Sequence, residues 1–228
     1  MLGVKEARLL KGTDGATIAQ KSSMVYLGAL ISDDGRINDE LSRRLGAANS
    51  EFRLLSRVWR HASIGRTRRL QIFNATIISK LTYGLATAWL NVAERRRLNG
   101  SQNRCLRSIW GIQPSYLFRI SNKSVLSTTG QQTLTDMLHR QQLLLYGKAA
   151  RAKEGSLLRE SVFCPKSLWP AAEQFVRRRG RPRLEWTSQV QKSALRIAGS
   201  YDNLQATAES EQVWKSLVNQ YCQHHSFD

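Results

Sequence analysis

The first part of the chain alternates apolar and polar residues in a way that is typical of extended structure. Residues 5–31 contain three strand-like segments, KEARLL, ATIAQ and MVYLGALI, and the turn-forming run KGTDG follows the first of them. This pattern predicts a short antiparallel β meander. Because three uncovered strands would be marginally stable, we expect them to pack against another part of the protein.

After Gly35 the apolar residues recur at the spacing of an α-helix. The residues of this predicted inner face are Leu41, Leu45, Ala48, Phe52, Leu55 and Trp59. They predict one long amphipathic helix with Asn38 as its N-cap. Asp39 and Glu40 lie in the first turn, where the helix dipole favours negative charge. Arg44 has the i,i+4 spacing of a partner for Glu40.

A basic stripe is predicted on the outer face of this first helix. It comprises Arg43, Arg53, Arg57 and Arg60. The helical spacing places these side chains away from the predicted core, so they are candidates for contact with an external anion.

The second predicted helix begins with an unusual concentration of positive charge. Its inner face carries Leu70, Phe73, Ile77 and Leu81, and the pattern predicts that it continues toward Trp89. Its first turn carries Arg66, Arg68 and Arg69. The helix dipole disfavours cations there unless an external anion such as phosphate also binds. The alternative is that these arginines pair with carboxylates elsewhere in the protein.

A third helix is predicted from Glu94 to Trp110. Gly111 has the position of a C′ glycine, and Pro114 blocks continuation of the helix. The side chains expected to point outward are those of Arg96, Arg104 and Arg107. Short connections between the three helices predict an antiparallel bundle.

The remaining sequence predicts further helices and one interruption. Ser121 caps a short helix, and a longer one begins near Leu134. A linker is predicted around Pro165 and Pro170, and helical pattern returns at Trp186 and continues through the segment VWKSLV. The predicted fold class is therefore mainly α with a small N-terminal antiparallel β meander, an α+β arrangement.

Net charge narrows the class of partner. The chain has 35 Lys and Arg against 17 Asp and Glu, which gives a formal net charge of +18. The resulting field attracts phosphate polyanions, so nucleic acid is the leading partner class. The alternative is a basic surface whose arginines are merely solvated.

The cysteine pattern and the hydrophobic runs indicate the cellular compartment in which the protein is expected. Cys105, Cys164 and Cys222 are far apart and form no C-x-x-C motif, which predicts neither a disulfide framework nor a zinc ribbon. Cys222, His224 and His225 are an incomplete ligand set, so no metal or cofactor is expected. The segment MLGVKEARLL lacks the apolar core of a signal peptide, and no later run approaches a membrane span. We expect an intracellular protein of the nucleus or cytoplasm, without membrane contact.

Six segments in a fixed order carry a resemblance to a known family. They are YLGALISDDG, ELSRRLGAANSEFRLLSRVWR, TRRLQIFNATIISKLTYGLATAW, ERRRLNGSQNRCLRSIWGI, ISNKSVLSTTGQQTLTDMLHRQQLLLYG and RRGRPRLEWTSQV. In this order they resemble the C-terminal portion of the reverse transcriptase of LINE-type, non-LTR retrotransposons, an RNA-directed DNA polymerase. The resemblance covers nearly the whole chain.

The resemblance implies a division of the chain into four parts. Residues 1–37 would be a remnant of the polymerase palm, in which Tyr26, Leu27 and Gly28 look like the primer-grip strand. The other parts would be a helical thumb-like bundle in 38–113, a post-thumb connection in 114–164, and a basic linker with C-terminal helices in 165–228. Such a fragment would hold a template–primer duplex of RNA and DNA, and a companion chain could supply the missing palm and fingers.

The pair Asp33-Asp34 bears on catalysis, because adjacent aspartates are what a polymerase uses to hold Mg²⁺. In the family that the chain resembles, this pair lies in a palm hairpin before the primer grip and follows an aromatic residue. Here Ile31-Ser32 precede the pair, and Gly35 and a helix follow, which predicts a turn. We therefore expect no polymerase activity from this chain alone.

No other catalytic arrangement is indicated by the sequence. Neither a Ser-His-Asp nor a Cys-His arrangement occurs in a telling context. His61 and His139 lie in helical patterns and are expected at the surface or at its boundary. No catalytic residue is therefore assigned.

A basic strip near the C-terminal part, RRRGRPRLEW, offers a second kind of nucleic-acid contact. Arg179, Arg181, Pro182 and Arg183 resemble the core of an AT-hook, an extended strip that lies in the narrow minor groove of A·T-rich DNA. The alternative is a basic linker that leads into the following helix. The corresponding alternative function is a stand-alone basic helical DNA-binding protein with an AT-hook-like motif.

Overall fold

The computed structural model of the protein describes residues 13, 15, 21–171 and 185–224. These residues are mainly helical and contain a small antiparallel sheet at the N-terminal side, so the predicted fold class is confirmed. The sheet is a hairpin of β1 (Ser23–Tyr26) and β2 (Ala29–Ser32). The first two segments of the predicted meander lie outside the described residues.

The run MVYLGALI forms this hairpin, whereas the sequence pattern predicted a single strand. Tyr26 pairs with Ala29 across the turn, and φ is 47° at Leu27 and 80° at Gly28. Positive φ at both central residues defines a type I′ turn, whose twist matches that of the strands. Leucine rarely adopts this left-handed conformation. Only Gly28, and not Leu27, is a residue type that predicts such a turn, so the sequence pattern did not indicate a hairpin.

The first long helix has the predicted extent but not the predicted cap. Helix α1 (Asn38–His61) starts at Asn38 itself and follows Ile37 without a side-chain cap. The predicted inner face is correct, because Leu41, Leu45, Ala48 and Trp59 are buried while Phe52 and Leu55 pack against the same core.

The second predicted helix is divided into three parts and ends early. It consists of α2 (Arg66–Phe73), a π-helical turn (Asn74–Ile78) and α3 (Ser79–Thr82). The continuation toward Trp89 was wrong, because Tyr83 leaves the helical conformation and Gly84 has φ 73°. A 3₁₀ turn (Leu85–Thr87) follows.

The third helix is fixed by strong local signals at both ends. Helix α4 (Val92–Trp110) begins with a capping box between Asn91 and Glu94. At its C-terminal end Gly111 has φ 72°, and the Ile112 N–H donates to the Arg107 carbonyl at 2.9 Å, which is the hydrogen bond of a Schellman motif. The predicted end of this helix is confirmed.

Hydrogen bonds fix the relative directions of these helices. They include Arg69 to Trp59 and Lys80 to Glu51 from the second helical segment to α1, and Arg97 to Asn38 and Ser101 to Asn49 from α4 to α1. Helices α2 and α3 therefore run antiparallel to α1, and α4 runs parallel to it. The end of α1, the start of α2 and the end of α4 lie at one end of the bundle, which we call the basic end.

The described residues after α4 contain six helices in chain order, of which the third and the fifth were not predicted. They are α5 (Asn122–Thr129), α6 (Leu134–Arg151), α7 (Leu157–Glu160), α8 (Trp186–Ala198), α9 (Tyr201–Glu209) and α10 (Glu211–His224). The Ser121 hydroxyl accepts a hydrogen bond from the Ser124 N–H, so the predicted cap of α5 is confirmed. No described helix is long and apolar enough to cross a membrane.

The linker predicted around Pro165 and Pro170 is packed as far as residue 171. Phe163 and Pro170 form an isolated antiparallel bridge, and Phe163 and Leu168 are buried. Here the hydrophobic content of the segment outweighs the helix-breaking effect of its prolines, which exclude a helix but not a packed loop.

Two hydrophobic cores meet on α6. The first extends from Leu41 to Leu138 and the second from Leu143 to Val218. In the second core the fully buried Trp214 donates from Nε1 to the Leu143 carbonyl at 2.8 Å. The proposed domain boundaries after residues 37, 113 and 164 stay predictions.

Two polar residues expected near the surface are buried. Arg107 is 7% exposed and His139 is 3% exposed. His139 Nδ1 lies 3.3 Å from the Gln142 Oε1, and its ring packs edge to face with Trp89. Burial lowers the pKa of His139, because the charged imidazolium is poorly solvated there.

Candidate nucleic-acid interface

The outer face of α1 carries a row of exposed cations. Arg53, Arg57 and Arg60 are all exposed, at the i, i+4, i+7 spacing that places them on one side of the helix. Within the described residues no carboxylate forms an ion pair with any of the three. This part of the predicted stripe can therefore meet an external anion without first breaking a salt bridge.

The first turn of α2 continues the positive charge around the basic end. The N-cap Gly65 offers no side-chain cap, and the turn contains no acidic residue. Arg66 and Arg68 are exposed, and Arg68 Nη1 donates to the Gln71 Oε1 at 3.0 Å. Arg69 is half-buried and donates from Nη2 to the Trp59 carbonyl at 3.0 Å. The predicted alternative of carboxylate partners is not seen for these three arginines in the described part of the chain.

Arg43 is exposed but, unlike Arg53, Arg57 and Arg60, it has partners within the protein, and its predicted contact with nucleic acid stays a prediction. Its Nε donates to the Glu40 Oε2 at 2.8 Å, and its Nη2 donates to the Gly28 carbonyl at 2.7 Å. It thereby joins α1 to the turn of the hairpin. Arg44, the predicted partner of Glu40, is bonded to the same carboxylate through its Nε and is buried.

Glu40 is the centre of this anchor. Its Oε2 also accepts the Leu30 N–H at 3.0 Å, so one carboxylate holds both α1 arginines and the second strand. Burial opposes ionisation of Glu40, but the hydrogen bonds from Arg43 and Leu30 and the charge of Arg44 outweigh it and lower its pKa. The carboxylate is therefore ionised at neutral pH.

The sequence motifs YLG and LTYG meet in the structure. The Tyr83 hydroxyl donates to the Leu27 carbonyl at 3.1 Å, and the Arg44 guanidinium lies 5.3 Å from the centre of the Tyr83 ring. Arg44 Nη2 also donates to the Gly28 carbonyl at 3.2 Å, and Nη1 donates to the Lys80 carbonyl at 2.7 Å. The turn is thus fixed to the bundle through its backbone, while the side chain of Leu27 stays 75% exposed.

Two further pairs of sequence motifs are also joined by hydrogen bonds. The buried Arg107 guanidinium of NRCLRSIWGI donates to the Ile120 carbonyl at 2.6 Å and to the Asn122 Oδ1 at 3.2 Å, both in ISN. The Trp186 Nε1 donates to the Ala86 carbonyl at 2.7 Å, just after LTYG. Sequence reasoning missed these contacts, because each joins residues that are distant in sequence.

The pair Asp33-Asp34 forms the predicted turn. The Gly35 N–H donates to the Ser32 carbonyl at 3.1 Å, and the Arg36 N–H donates to the Asp34 Oδ1 at 2.9 Å. The Arg36 side chain also lies 3.5 Å from the same carboxylate. Asp34 therefore serves as a local turn residue between β2 and α1.

A wide hollow of about 1210 Å³ lies between the hairpin and the starts of α1, α4 and α8. Its lining includes Glu40 and Glu94, both of which are bonded to backbone N–H groups. Among the described residues no group of three His, Cys, Asp or Glu side chains could hold a metal ion. Cys105, Cys164 and Cys222 are free thiols, and burial raises the pKa of Cys105 to about 12.

The AT-hook-like strip is the remaining predicted contact with nucleic acid. Arg179, Arg181, Pro182 and Arg183 lie outside the described residues. Their role stays a prediction from sequence.

The fold and the site define a mainly helical basic protein in which a β hairpin is clamped onto a helical bundle with an exposed cationic end. No family model, curated protein or solved structure matches the chain.

Proposed function

We propose that the protein holds a template–primer duplex by its sugar–phosphate backbone, in the manner expected of the thumb of a non-LTR retrotransposon reverse transcriptase. The observation that carries the proposal is the cationic surface of Arg53, Arg57, Arg60, Arg66 and Arg68, which meets no carboxylate within the described residues. The resemblance of the ordered motifs to that family supports the same interpretation.

The start of α2 adds a directional element to this surface. Backbone N–H groups in the first turn of a helix lack intrahelical partners and, together with the dipole, favour an anion. Exposed arginines beside such a turn would complete a phosphate site. Contacts of this kind fix the position of a duplex but read no base sequence.

The hairpin turn is proposed to approach the primer strand. Its backbone is held by Arg43, Arg44 and Tyr83, so Tyr26 and Leu27 project from a rigid support. Leu27 has φ 47°, a strained conformation for leucine, and such strain tends to persist where it serves a site. The proposed role matches the primer grip implied by the resemblance.

The proposal assigns no catalysis to this chain alone. Asp34 is engaged in a turn, and a palm and fingers from a companion chain would be needed for nucleotide transfer. Met24, Val25 and Ile31 of the hairpin are each more than half exposed, which supports an additional covering partner on the strands.

The salt dependence of duplex binding tests the proposal. The variant carries Arg53→Gln, Arg57→Gln, Arg60→Gln and Arg66→Gln. Removing one arginine–phosphate ion pair should reduce the slope of log K against log salt by about one unit and weaken binding similarly for all sequences.

A control variant removes two cations that already have carboxylate partners, and its effect is compared per charge removed. Lys80 and Lys215 pair with Glu51 and Glu211 respectively, so Lys80→Gln with Lys215→Gln changes net charge without removing an available phosphate contact. We expect the control to retain most of the affinity and slope. Equal effects per charge removed in the two variants would show that only net charge matters, and an unchanged slope in the arginine variant would refute the interface.

A further inference from the structure

The connection between α4 and α5 exposes a cluster of large apolar side chains. Tyr116 is 82% exposed, Leu117 60% and Phe118 60%. We call residues 116–118 the aromatic loop. Rings of this size bury well in protein interiors, so their exposure in adjacent positions indicates a surface that meets another molecule.

Hydrogen bonds to the Pro114 carbonyl and from the Arg107 side chain hold the backbone of the aromatic loop in place. The Leu117 and Phe118 N–H groups donate to the Pro114 carbonyl at 3.0 and 3.1 Å. Arg107 spans the connection by donating to the Gln113 carbonyl at 3.1 Å and to the Ile120 carbonyl at 2.6 Å. A buried guanidinium therefore fixes both sides of the loop while the rings remain outside, which lowers the entropy cost of binding.

The charge around the loop favours a polyanion as its partner. Between Glu94 and Asp136 the sequence contains no Asp or Glu, but it contains seven Lys and Arg. Five of these are exposed, and three of the five, Arg104, Arg119 and Lys123, lie nearer to the loop in sequence than Arg96 and Arg97. A partner surface rich in carboxylates would supply charge without stacking faces, whereas nucleic acid supplies both phosphate and bases.

The aromatic loop also lies at the basic end of the bundle. It follows the C-terminal end of α4, which runs parallel to α1 and therefore lies toward the same end of the bundle as the end of α1 and the start of α2. The arginines and the aromatic loop are therefore expected at the same end of the bundle.

We propose that Tyr116 and Phe118 form a stacking platform for unpaired nucleobases of single-stranded nucleic acid. The platform goes beyond the duplex contact proposed above, because paired bases in a helix present their edges and not their faces. Stacking on aromatic side chains tolerates any base, and flanking cations hold the backbone. The loop would thus bind a single-stranded extension rather than the duplex itself.

The test compares two probes and three variants of the full chain. The probes are a single-stranded oligo-dT carrying one 2-aminopurine and a blunt duplex of the same length, both at fixed salt. The variants are Tyr116→Ala with Phe118→Ala, the ring-preserving Tyr116→Phe with Phe118→Tyr, and Leu117→Ala as a matched apolar control. Thermal unfolding of each variant checks that the exposed substitutions leave the fold intact.

The double alanine variant should bind the single strand about fivefold or more weakly for each ring removed and should quench 2-aminopurine less. Its salt slope and its affinity for the blunt duplex should not change, since no charge is removed. The ring-preserving variant and Leu117→Ala should behave like the original chain.

Other results would overturn the platform. If the double alanine variant loses affinity equally for both probes, or loses no affinity for the single strand, the stacking platform is refuted. A loss in Leu117→Ala as large as that of the rings, or self-association that vanishes with the rings, would identify a protein-docking surface. Failure of the arginine variants to alter duplex binding would refute only the duplex proposal, because single-strand stacking is measured separately.

Discussion

Gly147 is expected to be the least replaceable glycine among the described helical positions. It lies buried in α6, and a Cβ added there would be 3.0 Å from the Trp214 Cγ and much closer to Cδ1 and Nε1 of the same indole. Trp214 is fully buried, and its Nε1 donates to the Leu143 carbonyl one turn earlier on α6. The indole therefore packs against the helix at the one place where α6 lacks a side chain.

The free energy of Gly147→Ala follows from two opposing effects. Alanine stabilises a helix interior by about 0.5–1 kcal/mol relative to glycine. Overpacking costs roughly 1–3 kcal/mol, and full displacement of the indole approaches the roughly 3–5 kcal/mol of losing a large aromatic side chain. Because the clashing atoms belong to a ring held by a hydrogen bond, we expect a net loss of about 2 kcal/mol or more.

Thermal and urea unfolding measure this loss. For a chain of 228 residues, about 1 kcal/mol corresponds to roughly 2–4 °C in Tm, so Gly147→Ala should lower Tm by roughly 4–8 °C. Gly46→Ala is the matched control, since Gly46 is exposed in α1 and a Cβ there meets nothing within 4 Å. The control should raise stability by about 0.5–1 kcal/mol.

A stabilising effect of Gly147→Ala equal to that of Gly46→Ala would refute the reasoning. It would mean that α6 and α10 do not approach each other through Gly147 and Trp214. A loss in both variants would instead indicate a general intolerance of helical substitution.

Three further predictions concern catalysis, DNA selectivity and pH. With template–primer, deoxynucleotides and Mg²⁺ the purified chain should incorporate nothing, and incorporation that disappears in Asp33→Asn or Asp34→Asn would contradict the turn assignment. If the basic strip is a hook, Arg181→Ala should abolish a preference for A·T-rich over G·C-rich duplex in competition binding, and equal affinities of the intact chain for both would exclude a hook. Burial lowers the pKa of His139, so below about pH 6.5 the unfolded chain binds a proton that the folded protein does not, and stability falls as pH falls. Urea unfolding at about pH 7 and pH 5.5 should show this loss reduced in His139→Gln, and an identical loss would assign it to other groups.

Features encoded by neighbouring residues were predictable from sequence. The end of α4 at Gly111 and the start of α5 at Ser121 depend on residues within one helical turn, and both were confirmed. The turn at Asp33-Asp34 is local in the same sense. The inner face of α1 followed from its period, because burial repeats with the helix.

Contacts between distant residues were not predictable in the same way. Arg43 and Arg44 both have helical spacing to Glu40. Nothing nearby in the sequence shows that both side chains also donate hydrogen bonds to the Gly28 carbonyl. The same applies to Arg107, whose partners are carbonyl groups of a following loop. A lone arginine on a helix looks solvated until the loop that covers it is known.

The expectation that His139 lies at the surface was wrong, although the sequence contains a signal for its burial. His139 precedes Leu143 and Tyr146 by four and seven residues, which places all three on one face of α6, and both apolar residues are fully buried. The residue type suggested a surface position, whereas the helical period correctly indicated the core.

Helix α6 couples the stability of the two hydrophobic cores. Leu138 belongs to the first core and Leu143 to the second, little more than one turn apart on an unbroken helix. Because helices form cooperatively, melting α6 from either side removes the support of both cores. A piece limited to residues 38–113 would lack Leu134 and Leu138 and leave their apolar partners facing water. The helices within residues 38–113 should therefore not stay folded when they are excised as a separate piece, and the described chain should melt in a single calorimetric transition.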